Sequence, residues 1–212
     1  LNAIQAFSAA KEIAKTFRII ADFSFRYNIV GNGTSGSLER IFGEIAYGIR
    51  TGTHRSPVEV ADALRAYNTD ARFRADFELL SLPKSKAKLA RYILIRLNDA
   101  MEGGEQVANM DPKKLNLEHI LPQNPGSLWR TNFPKGVDPK EYIERLGNLT
   151  LLTAKINRDV GDKSFQDKQQ LAFTSSKLPI NVPLKKVAKW GSEEIEARQQ
   201  QMAKMALQVW KL

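Results

Sequence analysis

The sequence has 212 residues, 42% of them hydrophobic and 26% charged, with no cysteine and a net charge of +9. That length accommodates one large domain or two small ones, each with its own core. The lack of cysteine excludes disulfides, thiolate zinc sites and a cysteine nucleophile and fits a reducing cytoplasm, and no apolar run approaches the roughly 20 residues that a bilayer span requires.

The chain starts at Leu1 inside a stretch that already reads as helix, LNAIQAFSAAKEIAKTF. It shows neither the basic start nor the small-residue cleavage site of a signal peptide. A fragment of a longer parent is the expectation. AKEIAKTFRIIADFSFRY carries Ile13, Phe17, Ile20 and Phe23 at helical spacing. GNGTSGS (31–37) breaks that helix, and LERIFGEIAYGIRTG forms a second one ending at Gly52. Ser56 and Pro57 open a third, as N-cap and first-turn residue. Phe73 to Leu80 is a short fourth piece. After Pro83, SKAKLARYILIRLNDAMEGG reads as a long helix stopped by Gly103 and Gly104. Residues 1–104 are therefore expected to be a helical connector or scaffold, with a boundary near residues 103–111.

The character changes beyond residue 104. LNLEHILP is followed by a loop rich in Pro, Gly and Asn, then by RLGNLTLLT. Leu149–Thr153, placed just after Gly147-Asn148, reads as a strand following a tight turn. Ser164 with Asp167 opens SFQDKQQLAF in the manner of a capping box. The segment from Ser192 to Leu212 is a final helix with Ile195, Met202, Met205 and Val209 as its apolar stripe. Residues 1–110 carry a net +3 and residues 111–212 a net +6, so the basic excess lies mostly in this half. Such a surface suits a polyanion, nucleic acid being the commonest, unless the cations only solvate the protein.

One of the two histidines of the chain, His119, stands directly after Glu118 at the end of an apolar run. A histidine takes a proton from water near neutral pH, and a carboxylate holds a hard divalent cation through oxygen. Together they suit metal-assisted hydrolysis. Adjacent strand residues point to opposite faces, so the two share a site only if the strand ends or bulges there, and Pro122 supports an early end. The competing reading is a satisfied structural pair. Asn148 follows His119 by 29 residues and Asn157 follows by another 9. Each has a plain structural reading as well, Asn148 as a turn former and Asn157 as a helix cap.

Residues 155 to 189 hold eight Lys and Arg against three Asp and Glu. Lys155, Arg158, Lys163 and Lys168 surround the motif and are assigned to phosphate contacts. Lys185, Lys186 and Lys189 are weaker candidates for the same work. KSKAK (84–88) reads either as a second phosphate contact or as the exposed start of a helix, the latter preferred, and His54 is given no role. No G-x-x-x-x-G-K-[ST] loop is present, so no NTP site is expected.

LEHILPQ (117–123), LGNLTLLT (146–153), Asn157 and KSFQDK (163–168) together resemble the C-terminal nuclease domain of GmrSD-type modification-dependent restriction systems, an HNH or His-Me finger family. FRYN (25–28), ARYILIRL (90–97) and the closing KW…IEARQQQMAKMALQVW are similar to the flanking regions of that family. The resemblance implies an α+β fold, mostly helical: a helical bundle followed, over residues 105–212, by a ββα-metal core. It implies His119 as general base, Glu118 and Asn157 as ligands of Mg²⁺ or Mn²⁺, and Asn148 as the amide that holds the histidine loop. It also implies a 5′ phosphate and a 3′ hydroxyl as products, double-stranded and possibly modified DNA as partner, and an upstream ParB-like nucleotidase domain in the parent. The expected activity is that of a DNA endonuclease or nickase in anti-phage restriction, in the cytoplasm. The alternatives are a non-cleaving DNA- or partner-binding module and an RNA-directed nuclease.

Overall fold

The structure is a computed structural model and describes residues 2–101 and 114–212. The expected helix stop at Gly103-Gly104 and the expected boundary at 103–111 lie outside the described residues. Among the described residues the fold is mostly helical, with one small antiparallel sheet of two strands. It divides into two compact units, Leu1–Phe77 with Ala206–Leu212, and Glu78–Met205. The long helix Ala87–Met101 falls in the second unit, with the strands, instead of with the helices that precede it.

The first unit contains α1 (Asn2–Ala6), α2 (Ala10–Ser24), a wider π-helical turn over Phe25–Val30, α3 (Ser35–Arg50), α4 (Pro57–Arg65) and nearly all of α5 (Asp70–Glu78). The starts of α3 and α4 follow from chemistry visible in the sequence. Thr34 and Ser56 each accept a hydrogen bond from a first-turn amide, and Pro57 occupies the position where no intrahelical donor is needed. The apolar faces converge on Phe23, Ile41, Ile45, Val60 and Leu64. Phe17 is 47% exposed, and α2 buries Thr16, Ile19 and Phe23 instead. Of the expected stripe Phe23 is buried and Ile13 packs on the core, while Phe17 is left outside because this helix carries more apolar residues than one face can hold. Arg26 is fully buried beside Asp70 at 2.7 Å and lies over the Phe73 ring, which makes it part of this unit's scaffold.

The second unit contains α6 (Ala87–Met101), β1 (Leu115–His119), α7 (Ser127–Arg130), β2 (Leu149–Thr153), α8 (Ala154–Val160), α9 (Phe165–Lys168) and most of α10 (Ser192–Val209). β1 and β2 pair antiparallel, with Glu118 opposite Thr150 and His119 opposite Leu149. Leu149, Thr150, Leu151 and Leu152 are all buried, because α6 and the 3₁₀ segment Pro179–Lys186 both pack against β2. A strand covered on both faces loses the alternation of a half-exposed one. The core gathers Ile120, Leu121, Trp129, Leu152, Phe165, Phe173, Trp190 and Ile195.

On α10, Ile195 and Met202 are buried as their spacing predicts, but so are Arg198 and Gln199. Arg198 Nη1 donates to the carbonyls of Gly147 and Leu149 at 2.7 Å each. Gln199 Oε1 accepts from the Gly147 amide at 3.0 Å. α10 thus holds the turn that leads into β2 with buried polar groups, which hydrophobic periodicity does not report. Gly147 also allows the close approach: a Cβ there would lie 2.2 Å from the Ile195 carbonyl oxygen. Among the described residues, no helix is long and apolar enough to cross a membrane.

Candidate active site

β1 stops at His119. The reason lies next to it. Ile120 N donates to the Asn148 carbonyl at 3.0 Å, and Leu121 N donates to Asn148 Oδ1 at 2.8 Å. Asn148 Nδ2 donates in return to the carbonyls of Leu121 and Ile143 at 3.0 and 2.9 Å, and Trp190 Nε1 donates to its Oδ1 at 3.0 Å. The fully buried Asn148 amide therefore carries the backbone out of the ladder directly after the histidine. It is more than a turn former, because its side chain does the holding.

With the strand ended there, Glu118 and His119 line the same cleft of about 480 Å³. Lys84, Pro122, Gln123, Asn124, Asn157 and Asp162 line it too. Asn157 sits in the middle of α8, not at its start, so it is not a cap. Its Nδ2 donates to Glu118 Oε2 at 2.8 Å and to the Leu117 carbonyl at 3.2 Å. The two acceptors fix the orientation of the amide, so Oδ1 is the atom turned away from the carboxylate.

Lys168 takes a different place from the one its sequence position suggests. Its side chain is 1% exposed, and Nζ donates to Glu118 Oε1 at 2.6 Å and to the His119 carbonyl at 2.8 Å. An ammonium committed inward in this way does not face solvent as a DNA phosphate contact does. The helical segment widens directly after it, with a π-helical turn over Gln169–Phe173, a feature common where a functional side chain must be redirected. Lys155, Arg158 and Lys163 remain exposed on or just beyond α8.

Electrostatics follow from burial. The Glu118 carboxyl is pushed above its ordinary value by burial, with Lys168 opposing the shift. Lys168 is lowered by burial, with Glu118 opposing. Burial also lowers the His119 pKa. Glu144 works against that shift, and the positive charges of Lys168 and Lys84 add to it.

Glu144 was not singled out by the sequence. Its Oε2 lies 3.4 Å from His119 Nε2, and it is not among the residues lining the cleft. A carboxylate at that position favours the tautomer that carries its proton on Nε2, with Nδ1 free to accept. The backbone of Glu144 is itself anchored, its carbonyl accepting from Leu82 N at 2.8 Å. The only sequence signal was its closeness to the RLGN turn, which says nothing about a partner 25 residues away.

Glu118, Asn157 and Asp162, two carboxylates and an amide, line one cleft. Mg²⁺ takes one or two carboxylates and completes its shell with waters and substrate phosphate, so the donor types fit that ion. Among the described residues, no group of three or more His, Cys, Asp or Glu is gathered into a ready-made cage.

Residues 67–205 match the model of the family described as GmrSD restriction endonucleases, C-terminal domain. No curated protein matches the chain.

Proposed function

The chain belongs to the family of GmrSD restriction endonuclease C-terminal domains, and from that premise we propose that it is a metal-dependent DNA nuclease of the HNH, or His-Me finger, kind. The observation that carries this reading is the juxtaposition of Glu118 and His119 on β1 with Asn157 on α8 along one cleft, β1 being paired antiparallel with the β2 strand that leads into that helix.

In this mechanism His119 is the general base. Glu144 holds the proton on Nε2, and the opposite nitrogen takes a proton from the water that attacks phosphorus. Asn148 fixes the backbone after His119, so the ring cannot swing with the loop. Glu118 and Asn157 would hold Mg²⁺ or Mn²⁺, which would supply charge neutralisation at the phosphate and the departing 3′ oxygen. Lys168 sets the direction of the Glu118 carboxylate. Lys155, Arg158 and Lys163, exposed on or just beyond α8, would contact backbone phosphates.

The binding-module alternative is favoured by one observation: both Glu118 oxygens already accept hydrogen bonds, from Lys168 and Asn157. The experiment that separates the readings is cleavage of supercoiled plasmid with Mg²⁺, Mn²⁺ or EDTA, comparing the native chain with His119→Ala. Metal-dependent nicking or linearisation that disappears in His119→Ala supports the nuclease, and the ratio of nicked to linear product distinguishes a nickase from a double-strand endonuclease. Salt-sensitive binding by both proteins without cutting supports the binding module. Competition by RNA against duplex DNA tests the RNA-directed alternative.

A further inference from the structure

We propose that Lys84 is a phosphate-contacting residue of this cleft, gripping the sugar–phosphate backbone of a nucleic acid beside the scissile bond. The inference rests on the nuclease reading above and adds a residue to it.

Lys84 lies 34 positions ahead of Glu118 in the chain, at the start of a short 3₁₀ turn, Lys84–Lys86, that leads into α6. In sequence it reads either as a second phosphate contact or as the solvated start of a helix. The fold gives it a fixed address. Leu82 is 1% exposed, and its amide donates to the Glu144 carbonyl at 2.8 Å. Ser81 bridges to Arg145, and Leu146 N donates to the Leu80 carbonyl at 3.1 Å. Pro83 then restricts the backbone, and Lys86 N donates to the Pro83 carbonyl at 2.7 Å. The segment that ends at Lys84 is therefore tied to the same stretch, residues 144–146, that supplies the Glu144 partner of His119. This brings Lys84 to the wall of the cleft that holds Glu118, His119 and Asn157.

The charge inventory of the cleft gives this ammonium its role. Lys168 and Glu118 are paired with each other. Among the described residues, Lys84 and Asp162 are the charged residues lining the cleft that have no hydrogen-bond or ion-pair partner. An exposed ammonium without a partner, held at the rim beside a candidate base, suits a non-bridging phosphate oxygen. Asp162 acts in the opposite sense and repels the same anion when no cation is bound. Of the basic residues near the site, Lys168 turns inward and Lys84 takes the outward position.

The test uses the full 212-residue chain and a short DNA duplex, with binding measured in EDTA over a series of salt concentrations. Lys84→Met is expected to bind several-fold more weakly, with the slope of log affinity against log salt reduced by about one. Lys84→Arg, which keeps the charge, should stay near the native value. Asp162→Asn should bind more tightly in EDTA. In metal, Lys84→Met should lose cleavage efficiency while its melting temperature is unchanged, because the side chain is exposed. Native protein that binds and cuts, with Lys84→Met equal to it in affinity and salt slope, overturns the role of Lys84 and leaves the nuclease reading intact. Weaker binding by both Lys84→Met and Asp162→Asn also overturns it, since the DNA would then not be sensing the charge of the cleft. Native protein that neither binds nor cuts DNA overturns the nuclease reading itself and this proposal with it.

Discussion

The ammonium of Lys168 lies 2.6 Å from Glu118 Oε1 and 2.8 Å from the His119 carbonyl oxygen. One buried cation thus ties the Glu118 carboxylate to the backbone of the adjacent His119. Removing one member of a buried pair leaves the other charge uncompensated, at a cost of about 3–5 kcal/mol. Lys168→Met should lower stability by that amount in urea unfolding. Adding Glu118→Gln to it should recover part of the loss, because the orphaned charge is then gone. A double-mutant cycle with no coupling would show that the two side chains do not depend on one another.

Asn148 is expected to be the most sensitive position of the loop. Its side chain makes four hydrogen bonds in a fully buried setting, to Leu121 N, Leu121 O, Ile143 O and Trp190 Nε1. Asn148→Ala abandons all four partners, and each buried group left unpaired costs about 1–3 kcal/mol. Asn148→Asp keeps the acceptor but faces two carbonyls with a group that cannot donate while ionised. Both variants should unfold at markedly lower urea concentration, and tryptophan fluorescence should report the change at Trp190.

Gly147 and Arg198 test the same turn from the other side. Gly147→Ala places a methyl group 2.2 Å from the Ile195 carbonyl, so the turn or α10 must move. Arg198→Met removes donors from the Gly147 and Leu149 carbonyls. Each should reduce stability by about 2 kcal/mol or more in thermal or urea unfolding. A Gly147→Ala protein as stable as the native one would mean that the backbone there is not closely packed.

Glu144 should act on turnover more than on binding. Glu144→Ala leaves the His119 ring without its acceptor at Nε2. Loss of such an orienting partner typically costs about ten- to a hundredfold in activity. The expected signature is a fall in kcat with KM nearly unchanged, partly restored by Glu144→Gln, whose amide oxygen can still accept. A rise in KM with kcat unchanged would assign Glu144 to substrate binding instead.

The elements that the sequence disclosed are those whose cause is local. Thr34, Ser56 and Ser164 each accept from an amide three residues on, within a single turn, and a cap of that kind can be read from a few letters. β2 was legible for a similar reason, since Leu149–Thr153 is apolar and β-prone and follows a turn. The pairing of Glu118 with Asn157 was legible only through the resemblance, because 39 positions separate them. Lys168, Glu144 and Arg198 were misplaced or unnoticed for one physical reason. A polar side chain looks the same in sequence whether it reaches water or a buried partner, and only the tertiary contact decides. Phe17 shows the converse, an apolar residue left at the surface because α2 has more hydrophobic side chains than its buried face can use.

The pairing register has a consequence for which mutations this site tolerates. Glu118 faces Thr150 and His119 faces Leu149 across the sheet, while Asn148 grips Leu121 only two positions further along. A shift of one residue along a strand sends every side chain to the opposite face. The spacing between the Glu118-His119 pair and the Leu121 anchor is therefore as binding a constraint as the identity of either residue. Extending the chain by one residue at Ile120 would leave both residues present and both strands able to form, yet point the acid away from Asn157. Gene variants here should divide sharply: many substitutions at the exposed Leu128, Arg130 and Lys135 passing unnoticed, and a single inserted codon between 119 and 121 silencing the protein.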